Sequence, residues 1–313
     1  MIKTVNFLII IILLPISIFA EGRVSGKVFY NYTLGLDDEQ QNAFNVNRAY
    51  LTYVNRMDES LTYKVTYDMG SNEAGSAHTA FLKVAMVEWK TKFGDMMIGM
   101  QGMNMFKTME NTWGHRFIAK MPMDTYGFSA SADLGIGMKK TFGPIFISSL
   151  ITNGGGYKKL ESDKYKKISM HAVYGETKLN KKDGFNAGMS LSYEPYEDDT
   201  DETSKRSHVL GIFSGYAGRG FRGGIEVDSK EQNEFSAKIL AIYGTYKVND
   251  KLSILSRYVD QGEKGELGEF SIITGIHYSL TQGLIVAPTF RASKVGVDGK
   301  YEKTLVINFQ YMF

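Results

Sequence analysis

The sequence contains no cysteine, which excludes disulfides, thiolate metal sites and cysteine nucleophiles. Proline is scarce, with 5 in 313 residues, and no Pro-rich or Ser-rich linker divides the chain. An excess of one charge is also missing. There are 36 basic and 34 acidic residues, so the net charge is +2 and nothing suggests a nucleic-acid partner. Past residue 20 no apolar run reaches the roughly 18 residues of a membrane-spanning helix. Motifs of chemistry are absent as well. The five histidines (His78, His115, His171, His208 and His277) form no HExxH or other metal-spaced pair, and neither a Walker A loop nor GxSxG occurs. Ser207 and His208 are strand neighbours and point to opposite faces, so they cannot act as a nucleophile–base pair. The expectation is a protein that is not an enzyme and has no metal and no cofactor.

Residues 1–20 read as a secretory signal peptide. Lys3 supplies a one-charge start, Phe7 to Phe19 is nearly all apolar, and Ala20 meets Glu21 at a plausible cleavage point. An uncleaved anchor helix is the alternative. Removal of this segment takes away Lys3 and leaves a net charge of +1. Residues 21–313 then read as one domain.

That domain is dominated by period-two alternation between turn signals. In Leu61–Met69 the residues Leu61, Tyr63, Val65, Tyr67 and Met69 alternate with Thr62, Lys64, Thr66 and Asp68. Phe185–Tyr193 sets Phe185, Ala187, Met189, Leu191 and Tyr193 against Asn186, Gly188, Ser190 and Ser192, and Tyr126–Met138 and Phe221–Val227 behave alike. The second face is small and polar. A soluble sandwich would place large charged residues there, whereas a water-filled lumen favours Ser, Gly, Thr and Asn. Tyrosines near segment ends suit the aromatic belts of a membrane barrel. These features predict an all-β transmembrane antiparallel β-barrel of about 16 strands in the bacterial outer membrane.

The predicted strands are 23–34, 44–55, 60–69, 80–91, 95–102, 125–138, 143–152, 167–178, 185–194, 206–217, 220–228, 235–248, 251–259, 268–280, 283–292 and 301–313. In 80–91 either Lys83 or Glu88 must sit on the apolar side. Short connections such as Arg56–Glu59, Lys139–Phe142 and Gly218–Arg219 alternate with longer polar ones such as Asn153–Lys166 and Pro195–Lys205, the asymmetry of outer-membrane barrels. The last strand carries Leu305, Ile307, Phe309, Tyr311 and Phe313 on one face, and it needs the first strand as partner because lipid tolerates no open edge.

The stretches FNVNRAYLTY (Phe44–Tyr53), ENTWGHRFIAK (Glu110–Lys120) with the Asp133-Leu134-Gly135 step, and TNGGGYKK (Thr152–Lys159) resemble bacterial outer-membrane porins, in particular the broad family around the phosphate-selective porins O and P. The resemblance implies 16 strands, a homotrimer, a third long loop folded inward as a constriction, and Phe313 as the aromatic end read during assembly. Here that loop is Met103–Asp124, with Lys107, Glu110, His115, Arg116, Lys120 and Asp124 as constriction candidates; an external loop with solvated charges is the other reading.

Alternation places Arg48, Lys64, Arg222, Arg257 and Arg291 on the inner wall, since a mid-depth cation facing lipid costs about 2–4 kcal/mol. Asp68, Asp133, Glu226 and Asp228 also fall inward, while Arg48 shares its face with Val46 and Tyr50, and Arg257 with Leu255 and Val259. The mixture implies weak selectivity, mildly anionic if the loop cations reach the constriction. No arginine–lysine array dense enough for phosphate specificity is evident. The lysines from Lys158 to Lys167 and the acidic run from Glu194 to Glu202 are solvated loop tips, or else they latch, bind divalent ions or touch lipopolysaccharide. The expected function is passive diffusion of ions and small hydrophilic solutes, with outer-membrane lipid and lipopolysaccharide as surroundings. A non-conducting structural or adhesive barrel is the alternative.

Overall fold

A computed structural model describes residues 22–36, 42–70, 78–161, 163–197, 204–263, 268–294, 299 and 301–313. Residues 1–20, expected from the sequence to be a signal segment, and most of the acidic run (Asp198, Asp199, Asp201 and Glu202) lie outside the described residues. Sixteen strands form one closed antiparallel sheet in which each pairs with its sequence neighbours. They are β1 Arg23–Gly35, β2 Ala43–Arg56, β3 Leu61–Gly70, β4 Thr79–Lys90, β5 Asp95–Gly102, β6 Ala132–Phe142, β7 Ile145–Thr152 and β8 Lys167–Gly175. The second half comprises β9 Gly184–Glu197, β10 Ser204–Gly218, β11 Phe221–Gln232, β12 Phe235–Lys247, β13 Leu252–Glu263, β14 Glu269–Thr281, β15 Leu284–Lys294 and β16 Tyr301–Met312. Two short helices, α1 (Lys107–Trp113) and α2 (Pro122–Thr125), lie in the β5–β6 connection.

The ring closes where β16 pairs with β1, from Lys27 opposite Met312 to Gly35 opposite Thr304. Phe313 finishes the seam. Its carbonyl accepts from Gly26 N at 2.9 Å, its own N–H donates to Gly26 O at 3.2 Å, and its ring lies where a Cβ on residue 26 would stand. The Phe313→Ala variant is expected to remove about 1–2 kcal/mol of seam packing. A lower fraction of heat-modifiable, folded barrel on gels would register it.

Outward residues form the apolar surface that lipid requires. Tyr53, Trp89, Phe142, Phe185, Tyr216 and Tyr246 are all exposed, and each stands near the short-turn end of its strand. They form an aromatic belt at one membrane interface. The small polar residues opposite them turn inward: Thr66, Asn186, Ser190 and Ser192 are buried, while Tyr67, Phe185 and Leu191 are exposed.

Three local expectations change. β6 begins at Ala132, not at 125, because the chain up to Ser131 still belongs to the preceding loop. Phe128 and Ser129 donate to Met123 O there, and Gly127 adopts φ +67°. Lys139–Phe142 is strand, and the turn is Gly143–Pro144. The choice between Lys83 and Glu88 disappears. Thr66 pairs with Val84 and Tyr67 with Leu82, so Lys83 is the extra residue of a β-bulge. The bulge reverses the pleat, so Leu82 and Trp89 both face lipid while Lys83 and Glu88 both bond inside the barrel. A second bulge lies between the pairs Phe29–Arg48 and Tyr30–Val46, and it puts Val46 on the lipid side without turning Arg48 outward.

Candidate functional site

The connection from Met103 to Ser131 enters the barrel. Its neck closes where Met103 N donates to Ser131 O at 3.2 Å. Inside, Met105, Phe106, Met109, Trp113, Phe117, Ile118, Met121, Met123 and Phe128 are at most 5% exposed. They pack on inward apolar residues of the wall, among them Val209 and Phe213 of β10, Ile239 and Tyr243 of β12, Leu255 and Val259 of β13, and Ile273 of β14. Small residues make room for the loop. A Cβ at position 215 would meet Thr112 Cγ2 at 2.9 Å, and one at 211 would collide with the end of Met123. Glycine at these two sites lets the loop lie directly on the sheet.

Hydrogen bonds tie the loop down in register. Asn104 donates to Ser148 O at 3.1 Å and accepts from Ser169 Oγ at 2.8 Å. His171 bridges Thr108 Oγ1 and Ser190 Oγ, both at 2.8 Å, and Ser190 Oγ donates to Met105 O at 2.6 Å. His115 Nε2 lies 2.9 Å from Thr245 Oγ1. Three arginines donate to loop carbonyls: Arg222 to Trp113 O at 3.2 Å, Arg291 to Ile118 O at 2.8 Å and Arg257 to Lys120 O at 2.5 Å.

The candidate residues therefore divide into two groups. Arg222, Glu226, Arg257 and Arg291 face the interior but lie behind the loop. Glu226 is 0% exposed and Arg257 4%, so neither lines open water; the three arginines hold the loop, whereas the Glu226 carboxylate has no hydrogen-bond partner among the described residues. Asp133 is also covered; its carboxylate accepts from Leu134 N and from Gly154 N, which anchors the next outer loop. His115 turns into the wall with them and is 3% exposed. The opposite group faces the space left between the loop and β1–β4, a cavity of roughly 590 Å³ lined by Lys27, Tyr50, Lys64, Lys83, Lys107, Glu110 and Arg116 among others. Arg116 Nη1 bridges Glu110 at 2.8 Å and Asp124 at 3.0 Å, and Lys107 meets Glu110 at 2.5 Å. Burial alone would raise the Glu110 carboxyl, but the two cations hold it below its usual range. Across the gap, Asp68 takes Lys83 at 3.2 Å, Arg48 at 3.9 Å and the Tyr157 hydroxyl at 2.7 Å. Lys120 stands within electrostatic reach of Arg48, Lys83, Arg116 and Asp124.

The charge balance of this open side is one-sided. Eight cations (Lys27, Arg48, Lys64, Lys83, Lys107, Arg116, Lys120 and Lys139) face four carboxylates (Asp68, Glu88, Glu110 and Asp124). Lys27 and Lys64 have no ion-pair partner among the described residues. Alternation did not single out Lys27 or Lys83, although Lys27 sits between inward Ser25 and Phe29 and was legible by the same rule. Leu179 of the β8–β9 turn was also missed: it is 3% exposed, and Thr177 O beside it accepts from Asn111 of α1 at 2.9 Å. That turn thus folds up under the loop.

The basic and acidic outer loops do meet where they are described. Lys164 pairs with Glu197 and Lys167 with Glu194, each at 2.8 Å. Ser207 faces inward and is buried, whereas His208 lies on the other face of its strand against the Tyr193 ring. Among the described residues no three His, Asp or Glu side chains converge as a metal site.

No family model matches the sequence, and no curated protein sequence does. Solved structures match over nearly the whole chain. OmpF of Salmonella typhi, in complex with daunomycin, superposes with a TM-score of 0.71 at 12% identity over 93% of this chain and 97% of its own. The anion-selective porin of Comamonas acidovorans gives 0.71 at 11% identity, covering 94% and 99%. OmpT of Vibrio cholerae, as a loop-deletion mutant, gives 0.67 at 12% identity, covering 94% and 99%. The chain thus has the fold of bacterial outer-membrane porin-type barrels: 16 antiparallel strands, closed on themselves.

Proposed function

We propose that this barrel is a non-enzymatic diffusion porin of the outer membrane, passing ions and small hydrophilic solutes with a modest preference for anions. The observation that carries the reading is the passage between the loop and β1–β4, where cations outnumber carboxylates and Lys27, Lys64 and Lys120 form no ion pair among the described residues. Fixed charge in a narrow, low-dielectric surround raises the local concentration of counter-ions, so anions dominate the current. The two carboxylate–cation clusters, around Asp68 and around Arg116, temper this excess, which argues for weak selectivity. Phosphate specificity finds no support in so mixed a lining. Lys107, Glu110, Arg116, Lys120 and Asp124 then form the loop side of the constriction, and Arg48 and Lys64 the wall side. Arg222, Arg257 and Arg291 act as clamps. The likeness to porins, one of them described as anion-selective, supports the reading, as does the known trimeric form of Vibrio cholerae OmpT for a homotrimer.

The test is electrical. The purified, refolded protein is expected to give stepwise conductance in planar bilayers and, in a potassium chloride gradient, a reversal potential with the sign of anion preference. A folded but silent protein would overturn the proposal and return the barrel to a structural or adhesive role.

A further inference from the structure

Above the constriction, aromatic rings and ammonium groups alternate along one wall. Lys83 Nζ lies 5.0 Å from the ring centre of Tyr50 and 5.0 Å from that of Tyr157. Lys158 Nζ lies 4.5 Å from the Phe81 ring and 6.0 Å from the Tyr157 ring. The Phe81 and Tyr157 rings meet edge to face at 6.4 Å. The order Tyr50, Lys83, Tyr157, Lys158, Phe81 thus runs from the cavity toward the long-loop mouth. Lys83 is buried and shares its ammonium with Asp68 at 3.2 Å, whereas Lys158 is exposed against the rings, so Lys158 is the cation open to an incoming anion. None of the three rings is fully buried, and Phe81 lies opposite inward-facing Asp68.

Such a wall treats anions unequally. Chloride or acetate gains from the ammonium groups alone and finds little use for the rings, which displace water from the path. An anion with a flat apolar body can place its carboxylate on an ammonium and its ring against an aromatic edge or face at the same time. We propose that this wall makes the pore favour aromatic carboxylates, of benzoate type, over small aliphatic ones. The proposal rests on the pore reading above and names the solute class of the same passage.

Chloride current through the purified protein in planar bilayers, at a pH where the acids are ionised, gives the readout. Sodium benzoate is expected to halve the current at a concentration about tenfold lower than sodium acetate does. In a Phe81→Ser/Tyr157→Ser double variant the two salts should become equivalent while the sign of the chloride preference persists. Because Tyr157 also donates to Asp68, Phe81→Leu serves as a milder second variant that keeps apolar bulk and removes the π face. It should narrow the difference about threefold. A conducting, anion-preferring wild type that treats benzoate and acetate alike overturns this inference and leaves the porin reading standing. A difference that survives unchanged in both variants overturns it too. A silent wild type overturns the porin reading itself.

Discussion

Replacing Lys27, Lys64 and Lys107 together by glutamate is expected to reverse the sign of the reversal potential in a salt gradient, turning the proposed anion preference into a cation preference. Each exchange swaps a positive for a negative charge at the rim of the same passage. The eight cations and four carboxylates of the open side become five and seven. In water two charges about 4 Å apart interact by about 1 kcal/mol, and by several-fold more beside low-dielectric walls. A permeability ratio shifted by roughly tenfold or more is therefore the expected scale. High salt should shrink the effect, because the screening length falls to about 3 Å at 1 M. The fold should tolerate the change: Lys27 and Lys64 are exposed within the lumen, and the Lys107 side chain is 63% exposed. Glu110 keeps Arg116 as its partner when Lys107 is lost. An unchanged reversal potential in the folded triple variant would mean that ions do not pass between the loop and β1–β4.

The Arg257→Ala variant is expected to release the inward loop, giving larger and noisier open-channel current and a clearly lower unfolding temperature. Arg257 is where three interactions meet. It donates to Lys120 O at 2.5 Å, its guanidinium lies 5.6 Å from the centre of the Trp113 ring, and it is the cation facing buried Glu226. Truncation removes the nearby cation from Glu226, whose carboxylate has no hydrogen-bond partner of its own among the described residues, and strips the Trp113 ring of its contact, a loss of about 1–3 kcal/mol. The double variant Arg257→Ala/Glu226→Gln should recover part of the stability, since the stranded charge is gone, but not the loop position, since the bond to Lys120 O is still missing. That split between thermal stability and conductance noise separates clamp from counter-ion. Arg222→Ala should do less. Its bond to Trp113 O is longer at 3.2 Å, and His115 with Thr245 holds the same stretch. Quiet, wild-type conductance in Arg257→Ala would show that the loop is held by its apolar contacts alone.

These two variants also mark the boundary of what alternation reveals. Lys64 and Arg257 satisfy the same rule, since both sit on the face opposite the lipid-facing residues. One faces water and the other a loop. A hint lay in the neighbours. Leu255 and Val259 flank Arg257 on its own face, and β12 carries Ala237, Ile239, Ala241 and Tyr243 inward while Ile242 and Tyr246 face lipid. A strand apolar on both faces is covered on both faces, so β12 and β13 announced that something dry would fill that half of the lumen. The bulges at Asn47 and Lys83 gave no comparable sign. One extra residue shifts the parity of everything after it, and a strict two-residue count reads the mixture as ambiguity, as it did for Lys83 and Glu88. The start of β6 was misplaced for a related reason: Tyr126, Phe128 and Ala130 continue the alternation of Leu134, Ile136 and Met138, yet Phe128 is buried by the loop cluster.

Strand number, antiparallel order and, away from the bulges in β2 and β4, the assignment of side chains to lipid or interior were properties of the sequence itself. They follow from the direction of each Cβ along an extended chain, which is set by nearest neighbours. Which interior residues meet water was decided only by the tertiary structure. That choice depends on contacts such as Arg257 with Lys120 and Arg291 with Ile118, formed between residues 137 and 173 positions apart. No local period encodes them. They arise because an apolar loop and an apolar stretch of wall bury each other, leaving the cavity on the cationic side of β1–β4.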